Sequence, residues 1–246
     1  MTVQISPIKL EMLRNALIAA AEEMAAAVFR TSRSTTVREM LDYSTAVFDA
    51  QANVIGQSSR IPMHLNTMAP CLEVILKEHI HPEDLEDGDV ILINDPFCGA
   101  QHLPDVTTFK PVFVDGALLG FTGAMLHYTD VGGAVPGSYN AAARDIFAEG
   151  VRIPPVRIVR KGAWNDDLLK MFLQNVRDPE TVKGDLLSQI ASCVIGEKNL
   201  HRLVQKYGAD FIATASRQLL DQSEAEMRRR LAQITEGVFT FKDKVD

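Results

Sequence analysis

Two histidine–aspartate pairs near the middle of the 246-residue chain have residue types suited to metal chemistry. His102 is followed three residues later by Asp105, and His127 is followed by Asp130 at the same spacing. Imidazole nitrogens and carboxylate oxygens are protein ligands of zinc and of other first-row divalent ions. The residue types therefore predict a divalent-metal site, provided that the fold brings the two pairs together.

The sequence between the pairs predicts how they meet. Two apolar runs, 106–114 and 117–126, flank Asp115-Gly116, and an Asp-Gly between β-rich runs is a strong β-hairpin signal. The start of the first strand of such a hairpin lies beside the end of the second. We therefore expect the two pairs to converge at the open end of one hairpin. The alternative, that each histidine is an ordinary surface or hydrogen-bonded residue near a turn, stays open on this pattern alone.

Three further residues are candidates for the same site. His64 begins a predicted helix, where its ring can hydrogen-bond locally, so we interpret it as structural. Cys98 lies close to His102 and could be a soft ligand, but a free cysteine of this kind is more often a small buried residue. Asp42 opens a predicted hairpin, where an aspartate most often caps a turn.

Composition and charge exclude several classes of function. A formal net charge of −7 and a pI near 5.4 argue against a nucleic-acid partner, which would need a basic face. No apolar run approaches the roughly 18 uncharged residues of a membrane span, and no secretory signal opens the chain. Three cysteines form no CxxC motif and look like reduced thiols. We therefore expect a cytoplasmic protein without a membrane segment.

Nucleotide-binding and hydrolase signatures are missing from the sequence. It contains no GxxxxGK[ST], no GxGxxG after a strand, no GxSxG and no HExxH. If ATP takes part in the reaction, we expect another chain to bind it.

The patterning of apolar residues predicts a mixed α+β fold, with a long N-terminal helix, antiparallel hairpins forming a sheet, and a C-terminal helical hairpin. Ser6-Pro7 is a typical N-cap and first helical residue, and Gly208 is a typical residue after a helix. The predicted elements are a helix over 8–30, a loop over 31–41, a hairpin over 43–48 and 53–55, a helix over 64–79, a strand over 89–93, the central hairpin, an edge or extended segment over 151–159, and helices over 165–176, 178–207 and 209–234.

Three regions follow from this order of elements. Residues 1–163 form the α+β region with the metal site, and residues 164–235 form a helical region. Residues 236–246 contain a predicted strand, Val238–Phe241, which we expect to pair with another chain or with a missing second half. Pro154-Pro155 excludes a central strand position for the segment around it.

Five ordered blocks of the chain resemble the N-terminal part of the hydantoinase B/oxoprolinase family. The spacing of the blocks is compatible with the family, and together they are a stronger signal than any one motif. Family members are usually longer, so we expect either a separate second half or a fragment. The blocks are LDYSTAVFDAQANVIGQSSRIPMHLNTM (41–68), NDPFCGAQHLPDVT (94–107), HYTDVGGAVPGS (127–138), EGVRIPPVRI (149–158) and GDLLSQIASCVIGEKNL (184–200).

The resemblance implies the metal-carrying, B-type subunit of an ATP-dependent hydrolase that acts on hydantoin, 5-oxoproline or lactam-like substrates. It implies zinc or manganese in this chain, a small-molecule substrate, and a hydantoinase A-like partner that binds ATP with magnesium. The family positions that hold the ion match Asp42, His102, Asp105 and His127, which raises Asp42 above a turn residue. Asp105 and Asp130 are carried over as catalytic carboxylates, with Asp130 also an optional or supporting ligand.

Because several residues depart from the family pattern, the resemblance does not define the substrate pocket of this chain. The family's GGTH is Gly99-Ala100-Gln101-His102 here, and the second histidine of its HH pair is Tyr128. Two alternatives therefore accompany the hydrolase interpretation. One is a subunit of an ATP-dependent ketone carboxylase, because the same superfamily includes acetone and acetophenone carboxylases. The other is a non-catalytic assembly subunit whose site has decayed.

Overall fold

The structure is a computed structural model that describes residues 5–244, apart from the side chain of Leu65. The helices are α1 (Pro7–Thr31), α2 (Thr35–Arg38), α3 (Pro62–Val74), α4 (Asp166–Gln174), α5 (Pro179–Tyr207) and α6 (Ala209–Leu231). The strands are β1 (Tyr43–Asp49), β2 (Val54–Gln57), β3 (Val90–Ile93), β4 (Asp105–Val114), β5 (Ala117–His127), β6 (Val156–Arg160) and β7 (Ala163–Trp164). The predicted mixed α+β class is confirmed.

The strands form one antiparallel sheet in the order β2-β1-β5-β4-β3-β6-β7. Its centre is the predicted hairpin of β4 and β5. Asp115 and Gly116 turn the hairpin with φ of 50° and 81°, the left-handed pair that matches the twist of the flanking strands. The start of β4 and the end of β5 therefore lie side by side, and the candidate site residues lie at this end of the hairpin.

Helices cover both faces of this sheet. On one face α1 and α5 pack together and against the strands, while α3 and the π-helical turn that continues it, Ile75–His79, cover the other. Side chains alternate accordingly along β3, where Leu92 faces the α1/α5 side and Ile91 and Ile93 face α3. Because both faces of the sheet are buried, even polar residues of its central strands, such as Thr107, Thr108 and Thr122, lie in the interior.

Most helix ends confirm the predicted signals. The Ser6 hydroxyl accepts from the backbone of Lys9 at 3.4 Å, and the Asp178 carboxylate accepts from the backbone of Thr181 at 3.1 Å. The predicted loop over 31–41 is wrong in one part, because Ser34 caps the short helix α2.

The segment around the two prolines also differs from the prediction. β6 pairs with β3 on one side and with β7 on the other, so it is not an edge strand. The prolines do not interfere because they precede the strand, which starts at Val156.

The C-terminal part of the chain consists of helices, of which α5 lies in the core, and a final segment without regular secondary structure. Leu186 and Leu200 of α5 lie in the same hydrophobic core as Leu13 of α1, so the core continues across residue 163. Residues 238–241 have no regular secondary structure, and their apolar side chains are exposed. The predicted strand is therefore not formed within the described chain, and its pairing with another chain stays a prediction.

Residues 1–4 and 245–246 lie outside the described residues. No helix in the range 5–244 combines the length and apolarity needed to cross a bilayer.

Gly56 marks a close contact between β2 and α1. A Cβ at this position would lie 2.7 Å from the backbone oxygen of Leu17. We expect Gly56→Ala to lower the free energy of unfolding by about 2 kcal/mol, because the backbone of a packed helix cannot yield as a flexible side chain does. Urea unfolding measures the loss, with Gly237→Ala as the control, since its added Cβ would meet nothing closer than 3.9 Å. Equal stability of the two variants would contradict the prediction.

Candidate metal centre

Asp105 is the hub of a cluster at the open end of the central hairpin. The register of β4 and β5 places Asp105 directly opposite His127. Oδ1 of Asp105 accepts hydrogen bonds from Nδ1 of His127 at 2.9 Å and from Nε2 of His102 at 2.8 Å. One potential ligand atom from each of these three residues lies within 4.8 Å of the others. The hairpin thus brings together residues that the sequence separates.

Asp42 reaches the cluster from the start of β1. Helix α2 fixes this approach, since the backbone oxygen of Thr36 accepts from the Asp42 backbone and the Thr36 hydroxyl donates to the backbone oxygen of His127. The Asp42 carboxylate lies 3.9 Å from Nδ1 of His127 and 3.4 Å from Nε2 of His64. A fourth residue proposed from the sequence therefore borders the same space.

His64 also belongs to the cluster, and its interpretation as a merely structural residue needs correction. Its Nε2 lies 3.5 Å from Oδ2 of Asp105, while its Nδ1 lies 3.3 Å from the hydroxyl of Ser44. Packing of α3 on the sheet delivers this ring, a long-range contact that local helix-start reasoning cannot detect. The available signal is its place in the 41–68 block, where Ile61-Pro62 precedes it by the family spacing.

The charges in the cluster are strongly coupled. Burial alone would raise the pKa of the Asp105 carboxyl, but hydrogen bonds from His102 and His127 outweigh it and lower the pKa to about 2. The hydrogen bond to Asp105 raises the pKa of His102, whereas burial lowers the pKa of His64 despite the nearby carboxylates. Asp105 is therefore an anion at neutral pH and suits a cationic ligand.

Asp130 is held away from the cluster by other partners. Its Oδ1 accepts from Nη1 of Arg177 at 2.8 Å, and its Oδ2 accepts from the Arg177 backbone at 2.5 Å. The group of potential ligands found among the described residues does not include it. Its contacts favour a role in holding the loop after β5, and the catalytic role expected from the sequence stays a prediction.

Cys98 is also outside that group of potential ligands. Burial raises the pKa of its thiol, with the nearby Asp95 carboxylate adding to the effect, and burial raises the pKa of the neighbouring Cys71 to about 12. Because the thiolate is the metal-binding form, these shifts favour Cys98 as a packing residue over Cys98 as a ligand.

The donor set fits a divalent ion. Ligand atoms of His102, Asp105 and His127 form one group, and Asp42 and His64 lie beside it, which matches the nitrogen and oxygen ligands of zinc and manganese. The side chain of Asp105 is only 2% exposed, whereas those of His102 and Asp42 are 38% and 28% exposed. One side of the cluster therefore faces solvent, as a catalytic metal site with an open coordination position requires.

Comparison with known proteins identifies the family of the chain. The Hydantoinase B/oxoprolinase family matches residues 6–246. The chain is 36% identical over 236 residues to the beta subunit of caprolactamase from Pseudomonas jessenii, covering 96% of this chain and 40% of that protein. It is 31% identical over 246 residues to the B-type subunit of a putative D-/L-hydantoinase from Pseudomonas sp., covering 99% of this chain and 42% of that protein.

Solved structures show the same architecture. The crystal structure of the ATP-dependent caprolactamase from Pseudomonas jessenii matches with a TM-score of 0.87 at 36% identity, over 95% of this chain and 40% of that chain. A nucleotide-free acetone carboxylase matches with a TM-score of 0.79 at 24% identity, over 85% of this chain and 28% of that chain, which shows a shared fold. The chain thus spans less than half the length of the relatives it matches.

Proposed function

Since the chain belongs to the hydantoinase B/oxoprolinase family, we propose that it is the metal-carrying, B-type part of an ATP-dependent cyclic-amide hydrolase in the cytoplasm. The observation that carries the proposal is the convergence of His102 and His127 on the buried Asp105, with Asp42 beside His127. Relatives named as caprolactamase subunit, hydantoinase subunit and 5-oxoprolinase support lactams, hydantoins and 5-oxoproline as the substrate class.

Asp42, His102, Asp105 and His127 would hold a zinc or manganese ion. Such an ion polarises a bound oxygen and can lower the pKa of water to about 7. Asp105 orients both imidazoles through its Oδ1 and supplies a buried negative charge. His64 supports Asp42 and Asp105 from the α3 side of the sheet.

Proton transfer would fall to the exposed side of this cluster. Asp42 is partly open to solvent and is therefore able to exchange a proton with a bound ligand. Asp105 is enclosed and paired with two histidines, so its work is to hold the ligands in position. The carboxylate of Asp130, named catalytic from the sequence, would act at most through the loop that it anchors.

ATP would enter through a hydantoinase A-like partner. That partner would phosphorylate the amide oxygen of the substrate, because this chain has no recognised phosphate-binding signature. A separate second half of the B-type subunit would complete the length found in the relatives. The proposed enzyme is accordingly active only as a complex.

Alanine at His102 or His127 tests the proposal directly. In the complex co-purified with its partner, we expect each variant to lose the bound zinc or manganese and to lower ATP-dependent hydrolysis by more than about a hundredfold, because each removes a ligand. The exposed His79 provides a matched control, and His79→Ala should keep both metal and turnover. Turnover indifferent to ATP, or unaffected by the two substitutions, would defeat the proposal.

The two alternatives give different results in the same preparation. A ketone carboxylase would incorporate labelled bicarbonate into a ketone, whereas a hydrolase would not. The acetone carboxylase likeness lies in the fold alone and does not favour that chemistry over hydrolysis. A non-catalytic assembly subunit would form the complex but hold no metal. The pairing of His102 and His127 with Asp105 supports a working site over a decayed one.

A further inference from the structure

Tyr139 lies beside the metal cluster without being part of it. Its ring centroid is 5.9 Å from that of His127 and 6.5 Å from that of His102, and the two histidine centroids are 5.1 Å apart. The tyrosine is nevertheless 75% exposed, while His127 is 7% exposed. Tyr139 therefore borders the solvent side of the cluster and leaves much of its own ring uncovered.

The loop that carries Tyr139 is built to hold it there. The preceding residue, Ser138, has a φ of 60°, in the left-handed region that non-glycine residues rarely adopt. Its buried hydroxyl accepts from the backbone of Val131 at 2.9 Å and donates to the backbone oxygen of Gly132 at 2.9 Å. Such a backbone conformation persists only where the surroundings enforce it, and these bonds enforce it here.

Arg177, from the connection between α4 and α5, braces the same loop. Besides its two bonds to Asp130, its Nη1 donates to the backbone oxygen of Gly132 at 3.3 Å and its Nη2 donates to that of Gly133 at 2.7 Å. Because Arg177 donates hydrogen bonds to several acceptors in this one loop, it fixes the position of the loop. The Asp130–Arg177 pair thus connects a helix junction to the residue beside the metal cluster.

An exposed aromatic ring held in this way is suited to contact a small ring-shaped ligand. Covering an aromatic side chain is favourable, and that free energy is available only once a ligand covers the ring. Arg177, which braces the loop, already pairs with Asp130 and donates to two backbone oxygens, so it is not a free partner for a carboxylate on the ligand ring, and the Asp42 carboxylate borders the opening. The favoured ligand is therefore an uncharged ring.

We propose that Tyr139 is a substrate-contacting residue that packs on the ring of an uncharged cyclic amide above the histidines, with Asp130 and Arg177 as its positioning residues. The inference rests on the proposed function and narrows its substrate class: neutral lactams and hydantoins are favoured over 5-oxoproline, which carries a carboxylate. The tyrosine contributes its ring face, and its hydroxyl takes no part in the chemistry.

Binding measurements on the metal-loaded complex test the proposal without turnover. With ε-caprolactam as the probe, calorimetry in the absence of ATP should show Tyr139→Ala weakening binding about tenfold, and Tyr139→Phe staying within about twofold of the wild type. Steady-state assays should show the same change in KM with little change in kcat. 5-Oxoproline should bind more weakly than ε-caprolactam. Phe29→Ala, a partly exposed aromatic on α1, is the control and should change neither quantity.

A separate experiment tests whether Arg177 positions Tyr139. Arg177→Ala should weaken ε-caprolactam binding as Tyr139→Ala does, and the double variant should bind no more weakly than Tyr139→Ala alone, because both act through one ring. Additive losses in the double variant would show that Arg177 acts elsewhere and would overturn its assignment. A residue that only stabilised the fold would lower the melting temperature without this coupling.

Several other results of these measurements would overturn the inference about Tyr139. Unchanged binding in Tyr139→Ala, equal losses in Tyr139→Phe and Tyr139→Ala, loss of metal from Tyr139→Ala, or tighter binding of 5-oxoproline overturns the inference. A wild-type complex that binds no ε-caprolactam overturns it as well. Metal content and ATP-dependent turnover of the wild type, measured on the same sample, then tell whether the proposed function fails with it or survives with a different substrate contact.

Discussion

Asp105→Asn is expected to lower the affinity for zinc or manganese by more than about a hundredfold, with loss of ATP-dependent turnover in the complex. The substitution keeps the volume of the side chain but removes the negative charge on which three histidines converge. Because the carboxyl is 2% exposed and its pKa is lowered to about 2, the folded protein holds a buried anion at neutral pH. The other carboxylate of the cluster, that of Asp42, is less enclosed.

A chelator-competition titration of the purified complex measures this change. Asp167→Asn is the matched control, since the Asp167 side chain is 99% exposed and its substitution should leave the affinity unchanged. Asp42→Asn should give a smaller loss than Asp105→Asn, because Asp42 is more exposed and lies farther from His127. Metal affinity of Asp105→Asn equal to that of the wild type would remove the central argument for a metal centre.

The hub of this site is predictable from the sequence for a specific reason. Asp115-Gly116 determines where the chain turns and so brings the start of β4 beside the end of β5, while a register shift between Val112 and Phe113 then sets Asp105 opposite His127. A hairpin is a local structure, so the residue pattern within it is enough to predict which ends meet. His102 follows because it precedes β4 by only three residues.

The contributions of His64 and Asp130 require tertiary information. His64 enters the cluster only because α3 packs on one face of the sheet, and nothing within the helix sequence specifies that face. Asp130 has the same spacing from His127 as Asp105 has from His102, yet a partner 47 residues away, Arg177, takes its carboxylate. Spacing predicts proximity along a strand, but it does not predict competition from a distant side chain.

Two differences in the fold have separate origins. The sequence predicts a loop where the short helix α2 lies, because its polar residues show no periodicity, and the helix forms through a serine cap and its contact with the end of β5. The prediction of an edge or extended segment for β6 places two prolines inside the strand, whereas the strand begins after them. The first difference is a short helix without a periodic signal, and the second is the boundary of a strand.

A buried ion pair joins the central strand to α5 and leads to the second large effect. Nζ of Lys110 lies 2.6 Å from Oε1 of Glu197, and the two side chains are 6% and 14% exposed. Lys110 interrupts the apolar run of β4, and α5 supplies its counter-charge across the interface between helix and sheet. Removing the glutamate would leave an enclosed ammonium group without a counter-charge, with the Pro111 backbone oxygen at 3.5 Å as a neutral acceptor, and breaking a buried pair in this way is strongly destabilising.

We therefore expect Glu197→Ala to lower the free energy of unfolding by about 4 kcal/mol, and the melting temperature by roughly 10 °C. The double variant Lys110→Met/Glu197→Leu should recover most of the loss, because apolar side chains need no counter-charge in this position. Glu73→Ala breaks an exposed pair with Lys77 and should cost under about 1 kcal/mol. Calorimetric melting of the wild type and the three variants tests this expectation. If Glu197→Ala costs no more than Glu73→Ala, the Lys110–Glu197 pair contributes little to stability, and α5 is held on the sheet by apolar packing and by the hydrogen bonds of Gln189 and Thr122.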